Sequence, residues 1–275
     1  MSVTNYSISN ILNYNFGKTF SSAPTSYYIG LSVGTLDKTI INASQLTGDL
    51  AELSGGGYAR PNIPNTYWAN ASSGVISNNA GAYFSISTAD WDVANSLFFV
   101  DTASGSGNIW WYVNLAVPIS VTNNYIVYFP IGSISATIPS LAGTIYANNN
   151  NLNYFFNNSP DASPPNTLYF GLSSVIADIN GVYTEPIGNG YARVAYTNSG
   201  SYWSASSSGS SIHNTSSVTF PTSSGAWGTM LSFFISDASS GGNVLWSQNF
   251  SSPIYVQSNM PIVLPDTTGI VISLI

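Results

Sequence analysis

The feature that most constrains this chain is that it runs through one set of motifs twice. Leu12-Asn13-Tyr14-Asn15-Phe16 returns as Leu152-Asn153-Tyr154-Phe155-Phe156, and Tyr28-Ile29-Gly30-Leu31-Ser32 returns as Tyr169-Phe170-Gly171-Leu172-Ser173. Gly55-Gly56-Gly57-Tyr58-Ala59-Arg60 returns as Gly188-Asn189-Gly190-Tyr191-Ala192-Arg193, and each copy is followed by a Tyr-Trp pair, Tyr67-Trp68 and Tyr202-Trp203. Spacings repeat as well: Phe84 to Trp91 and Phe220 to Trp227 are both 7 residues, and Pro118 to Pro130 and Pro253 to Pro265 are both 12. Repeats of this length exceed solenoid units, which cannot bury a core alone, so each is expected to fold as a domain. The domains are placed at residues 1–140 and 141–275, with the polar stretch Ala147-Asn148-Asn149-Asn150-Asn151 as their junction.

What each repeat folds into follows from its side chains. Charged residues make up 5% of the chain against roughly 25% in a typical soluble domain, which leaves no material for helices laced with Glu-Lys pairs. Hydrophobic residues make up 44%, with 18 Tyr, 13 Phe and 7 Trp, and the rest is dominated by turn-forming Ser, Asn and Gly. The expected fold class is all-β: two tandem antiparallel β-sandwich domains, jelly-roll-like, of short strands between Gly, Asn, Ser and Pro clusters. In the first repeat, strands are predicted around residues 27–31, 58–63, 82–86, 95–100, 108–113 and 125–129, and residues 101–108 and 237–243 read as hairpin loops. The last strand is predicted over 269–275. Each repeat opens with a segment, around Leu12 or Leu152, that reads equally as a helical turn or an arm. In the first repeat, Tyr6, Ile8, Ile11, Leu12, Tyr14 and Phe16 are too apolar for a free terminus, so they either contact a partner or close the first domain.

Charge excludes several function classes. The formal net charge is -7, and the cations are Lys18, Lys38, Arg60 and Arg193, too few to neutralise a run of phosphates. Nucleic-acid binding is not expected. Membrane insertion is not expected either, because no apolar run approaches the roughly 20 residues of a span, and the opening Met1-Ser2-Val3-Thr4-Asn5-Tyr6 has no basic start or apolar h-region of a secretory signal. The absence of cysteine removes disulfides, thiolate nucleophiles and Cys-bound metals together. Asn-x-Ser tripeptides such as Asn42-Ala43-Ser44 follow from a composition rich in Asn and Ser.

Catalytic side chains are scarce. The single histidine, His213, reads as a solvated residue in a Ser-rich turn, opposite Asn78 in the first repeat. Asp90 and Asp92 flank Trp91 as a carboxylate pair would, but Ala226 and Gly228 stand there in the second repeat, so they read as turn carboxylates. Gly55-Gly56-Gly57 lacks the following Gly-Lys of a phosphate loop and reads as a turn or bulge before a strand. No catalytic, cofactor or metal site is assigned, and the chain is read as a non-enzyme. The informative pair is Glu52 with Arg60, because Glu185 and Arg193 repeat it at the same spacing of 8 residues. Two arginines fixed in one motif, in a chain so poor in charge, imply a structural or interface role through bidentate bonds to a carboxylate or to carbonyls, with carbohydrate contact as the alternative. Trp91 and Trp227 also repeat, which fits core packing and sugar stacking alike.

With these motifs in view, the chain resembles a family of small tailed-bacteriophage structural proteins whose members are variously described as tail fibre, tail or capsid decoration proteins. Ser2-Val3-Thr4-Asn5-Tyr6 with Leu12, the Tyr28–Ser32 strand, the Gly-Gly-Gly-Tyr-Ala-Arg motif, Thr88-Ala89-Asp90-Trp91 and the strand into Asp101 carry the likeness over nearly all of each repeat. Two departures stand out: no Asp precedes Trp227, and Asn189 interrupts the glycine motif. The resemblance implies a virion protein with no catalytic residues and no cofactor, assembled in the host cytoplasm. It leads to a capsid decoration, or cement, protein, with a tail-fibre or baseplate component binding host-surface glycans as the alternative. Expected partners are the major capsid protein or tail proteins, a second copy of the chain, and a host glycan.

Overall fold

A computed structural model of the chain describes residues 1–138, 143–160, 162–204, 210–266 and 269–274. The first repeat supplies β1 (Ser2–Val3), α1 (Asn5–Asn15), β2 (Ser26–Ser32), β3 (Asn62–Pro64), β4 (Val75–Ser77), β5 (Ala82–Tyr83), β6 (Asp92–Val100), β7 (Ile109–Val121), β8 (Tyr128–Phe129) and β9 (Ser135–Thr137). The second supplies α2 (Ile145–Leu152), β10 (Thr167–Ser173), β11 (Val194–Thr197), β12 (Ser211–His213), β13 (Val218–Thr219), β14 (Gly228–Ser236), β15 (Val244–Val256), β16 (Val263–Leu264) and β17 (Val271–Ser273). The fold is all-β and antiparallel, as the composition predicts.

Both repeats use one topology. In the first, a sheet of order β1-β7-β6-β2-β3 is accompanied by the ribbons β4-β9 and β5-β8; in the second, the sheet β11-β10-β14-β15 is accompanied by β12-β17 and β13-β16. A bridge from Gly143 to Trp246 stands where β1 pairs in the first repeat. Even the irregularities match: β6 and β7 slip register between Ala94 and Ser96 and again between Phe99 and Val100, as β14 and β15 do between Met230 and Ser232 and between Ile235 and Ser236. Such bulges bend a strand pair and re-aim its side chains, so their repetition fixes the same curvature twice. The predicted last strand is present as β17, paired with β12, while Ile275 lies outside the described residues.

The segments around Leu12 and Leu152 are helical. Thr4 Oγ1 donates to the Ile109 and Trp110 carbonyls at the head of α1, and Thr144 Oγ1 does the same to the Val244 and Leu245 carbonyls at the head of α2. Ile8, Ile11, Leu12 and Phe16, four of the six apolar side chains read as an arm, are fully buried within the chain, while Tyr6 and Tyr14 are half-buried. The asparagine run expected to be a junction is instead inside α2. Asparagine is a poor helix former, and the helix is held by what its amides reach: Asn149 Oδ1 accepts from Gly74 N at 2.8 Å, and Asn153 Oδ1 accepts from Ala71 N at 2.6 Å. Asn157 Nδ2, one turn further along the same face, donates to Ala69 O at 2.9 Å. Composition hid this helix because the stabilising partners are distant in sequence.

The chain forms two compact units, each assembled from three segments. Unit 1 comprises Met1–Asn10, Ser21–Ile138 and Asn149–Asp161; unit 2 comprises Ile11–Phe20, Pro139–Asn148 and Ala162–Ile275. In unit 1, Trp68, Phe99, Trp110 and Trp111 are buried with Tyr27, Phe155 and Phe156, and in unit 2 Phe16, Phe170, Trp203, Phe234 and Trp246 are buried.

One position in each central strand has to be glycine. The Phe98 ring lies across Gly30, where an added Cβ would stand 2.0 Å from Phe98 Cζ, and Phe234 covers Gly171 with the corresponding distance at 2.2 Å. The bare backbone thus seats an aromatic ring from the neighbouring strand. Gly30→Ala is expected to destabilise the protein by about 2 kcal/mol through overpacking, with Gly171→Ala similar; chemical denaturation with the midpoint and slope compared to the parent checks this, and an unchanged midpoint would contradict the seat.

Candidate functional sites

The two glutamate-arginine pairs converge on the same construction. Arg60 Nε donates to Glu52 Oε1 at 2.7 Å and Nη2 to Glu52 Oε2 at 2.5 Å, a two-point fork. Arg193 repeats it on Glu185 at 2.9 and 2.7 Å. Both guanidinium side chains are buried, at 3% and 1% exposure, while the carboxylates remain about a fifth exposed, at 22% and 21%. The remaining donors face hairpin carbonyls: Arg60 reaches Thr102 O and Gly105 O, each at 3.1 Å, and Arg193 reaches Ala238 O at 2.7 Å and Gly241 O at 2.8 Å. Arg60 lies 5.3 Å over the Phe98 ring and Arg193 4.9 Å over the Phe234 ring, adding a cation-π contact above the glycine seat. Each hairpin is closed by an aspartate: Asp101 accepts from the backbone and side-chain nitrogens of Asn108 at 2.8 and 2.9 Å, and Asp237 from those of Asn243 at 2.7 and 2.8 Å.

Tyrosine completes the set. Tyr58 donates to Glu52 Oε1 at 2.8 Å and accepts from Leu31 N at 2.9 Å; Tyr191 donates to Glu185 Oε1 at 2.7 Å and accepts from Leu172 N at 2.9 Å. Burial pushes both phenols well above the ordinary tyrosine value near 10, and the adjacent carboxylate pushes them further. Trp91 packs edge-on to Tyr58 at 5.2 Å and its Nε1 donates to Gly56 O at 2.9 Å, while Trp227 packs on Tyr191 at 5.3 Å and its Nε1 donates to Asn189 O at 2.9 Å. All six candidate residues therefore lie in two matching clusters, one per unit, each with every polar group engaged inside the chain.

The departure at Asn189 has a local explanation. Gly56 has φ of 48° and Asn189 has φ of 52°, the left-handed region that asparagine tolerates better than other side chains. At Gly56 an added Cβ would meet Ala89 N at 2.9 Å, whereas Asn189 faces Gly225, the counterpart of Ala89, and its Nδ2 donates to Ala226 O at 2.9 Å. One repeat pairs glycine with alanine and the other asparagine with glycine.

The remaining sequence candidates are separate. Asp90 accepts from Asn123 N at 2.8 Å, in the loop that follows β7, and Asp92 accepts from the adjacent Val93 N at 2.7 Å. Asp92, with φ of 97°, sits where the second repeat has Gly228 at 86°. His213 lies in β12 rather than in a turn, half-buried, with Nδ1 3.0 Å from Ser204 Oγ. Its partner position in the first repeat is Ser77; Asn78 corresponds to Asn214, and both asparagines bond proline carbonyls, Pro130 O and Pro265 O, at 2.8 Å. Among the described residues no group of three or more His, Asp or Glu gathers, and no helix is long and apolar enough to cross a membrane.

Unit 1 also carries an open cleft of about 450 Å³, lined by Tyr6, residues 21–26, Tyr28, Asp101, Asn108 and Trp110. Tyr6 stands edge-on to Trp110 at 4.9 Å and donates to Ser21 Oγ at 2.8 Å. The cleft sets aromatic side chains beside serine hydroxyls, an amide and a carboxylate. Motif reading passed over it because its residues are scattered, although Tyr6, Tyr28, Asp101 and Asn108 all recur as Tyr146, Tyr169, Asp237 and Asn243, while Trp110 is replaced by Leu245 and Ser26 by Thr167.

A protein-family model described as "Podophage GP4 fiber I protein gp80" matches residues 2–137 and, a second time, residues 142–268. A search of curated proteins gave no match.

The phenol pKa shifts set an alkaline limit. A group whose folded pKa is raised contributes stability that is fully present below its unfolded value and is lost as pH rises above it. Stability should therefore hold from neutral pH to about 10 and fall beyond it, as tyrosines ionise in the unfolded chain while Tyr58, Tyr191 and the buried Tyr27 resist ionisation in the folded one. Urea midpoints measured from pH 8 to 11 check this; a Tyr58→Phe, Tyr191→Phe double variant should show a shallower fall, and a flat profile in the parent would contradict the shifts.

Proposed function

This chain belongs to the podophage fiber I protein gp80 family, which matches both of its halves, and from that premise we propose that it is a component of the phage tail, displayed as a fibre protein that contacts the host surface. It is a phage virion structural protein of all-β fold. The placement on the tail is supported by the family's description as a fibre protein; capsid decoration, the leading expectation from the resemblance, is the alternative, and a compact cysteine-free chain with little charge fits either place. The internal saturation of both arginine clusters supports a scaffold role for them, so contact with the host falls to other surfaces.

Of those surfaces, the cleft in unit 1 suits a saccharide. Its Tyr6 and Tyr28 are half-buried, leaving ring surface beside the exposed hydroxyls of Ser21, Ser22 and Thr25, which are able to bond sugar hydroxyls. The proposed ligand class is a neutral glycan of the host surface.

Cryo-electron microscopy of the intact particle tests the location: density for this chain is expected on the tail at low copy number, and density spread over the shell in proportion to the major capsid protein would replace the fibre reading with decoration. Calorimetric titration with purified host-surface polysaccharide tests the ligand. Tyr6→Ala should abolish binding and Tyr146→Ala should leave it intact; equal loss in both variants, or binding in neither parent nor variant, would contradict the cleft's role.

A further inference from the structure

We infer that the two repeats complete each other's cores: the aromatic plug at the end of each opening helix belongs to the compact unit built mainly from the other repeat. The first observation is the composition of the units. Helix α1 begins in unit 1, yet Ile11–Phe20 belongs to unit 2, and α2 begins in unit 2, yet Asn149–Asp161 belongs to unit 1.

The second observation is that the plugs and their sockets are matched positions of the duplication. Phe16 and Phe156 occupy the same place in the Leu-Asn-Tyr motif, and both are fully buried. In unit 2 the Phe16 ring packs on Trp203 at 4.3 Å and Trp246 at 5.7 Å. In unit 1 the Phe156 ring packs on Trp68 at 4.4 Å and Trp111 at 4.7 Å. Trp68 and Trp203 are equivalent, as are Trp111 and Trp246, so each socket is the same pair of indoles filled by the same phenylalanine from the opposite repeat.

Polar contacts fix each plug in register. In unit 2, Asn198 Nδ2 donates to Asn15 O at 2.8 Å and Lys18 Nζ donates to Gly200 O. Gly17 is required there, with φ of 63° and an added Cβ only 2.6 Å from Asn198 O. In unit 1, Asn157 donates to Ala69 O and Asn158 ends the helix at φ of 51°. Because the plugs are interchangeable in chemistry, a chain holding one repeat would have to take its plug from a second copy.

This inference is independent of where the protein sits in the virion. A protease site placed between Ile138 and Gly143 in the full chain, cleaved after purification, tests it. The two fragments should elute as one species and part only in denaturant; fragments that separate as two folded monomers would overturn the exchange. Hydrogen exchange on uncleaved Phe16→Ala assigns the cause. Protection should fall at least tenfold in β14 and β15 while β6 and β7 keep theirs, and a fall confined to β6 and β7 would place the plug in its own repeat and overturn the inference as well.

Discussion

Each unit depends on one buried arginine held by one carboxylate. In most soluble domains such a pair would be one charge contact among dozens; here charged residues are 5% of the chain, and the only two arginines are both committed to it. A guanidinium taken out of water is costly unless nearly all its donors are met. Meeting them dictates the surroundings: the glutamate must lie 8 residues before, the hairpin after β6 or β14 must turn its carbonyls inward, and a ring must lie beneath, which in turn needs glycine on β2 or β10. The asparagine and aspartate that close each hairpin then hold those carbonyls in place. Buried ion pairs add little net stability compared with apolar packing but penalise every arrangement that leaves the charge unpaired. In a chain otherwise made of Ser, Asn and aromatics, that penalty selects one loop arrangement among many.

Much of this was legible in the sequence, and for a physical reason. Low charge makes any recurrent ion pair informative, so the Glu52-Arg60 and Glu185-Arg193 spacing pointed to residues that lie together. Aromatic and β-branched runs between turn clusters gave the strands, because burial on a pleated surface selects them locally. Helix α2 was not legible, since asparagines that bond distant loop backbones look like linker in isolation. The position of His213 was missed by one residue, because the Ser-rich segment before it gives no register and the match to Asn78 rested on spacing alone. The unit to which each opening helix contributes was invisible in principle: Phe16 and Phe156 carry the same motif, so the sequence is the same whichever socket each one fills.

Duplication has preserved the interior and released the surface. Bulges, caps, arginine forks and indole sockets recur position for position, and Gly56 and Asn189 keep the same left-handed backbone although the residue has changed. Outside, the repeats diverge: the exposed cross-strand pair Tyr83 and Tyr128 of the first repeat is Thr219 and Val263 in the second. The virion structural protein thus carries one scaffold twice with different exposed side chains on each copy.

The dependence of each unit on its arginine is tested most directly by site-resolved hydrogen exchange on Arg60→Met, with the stability of the same variant measured alongside. The account predicts a loss of about 3 kcal/mol, as expected when a buried pair loses one partner, with protection falling first in the hairpin at residues 101–108 and around Glu52 while unit 2 is unchanged. Unchanged stability together with unchanged protection at those residues would contradict it.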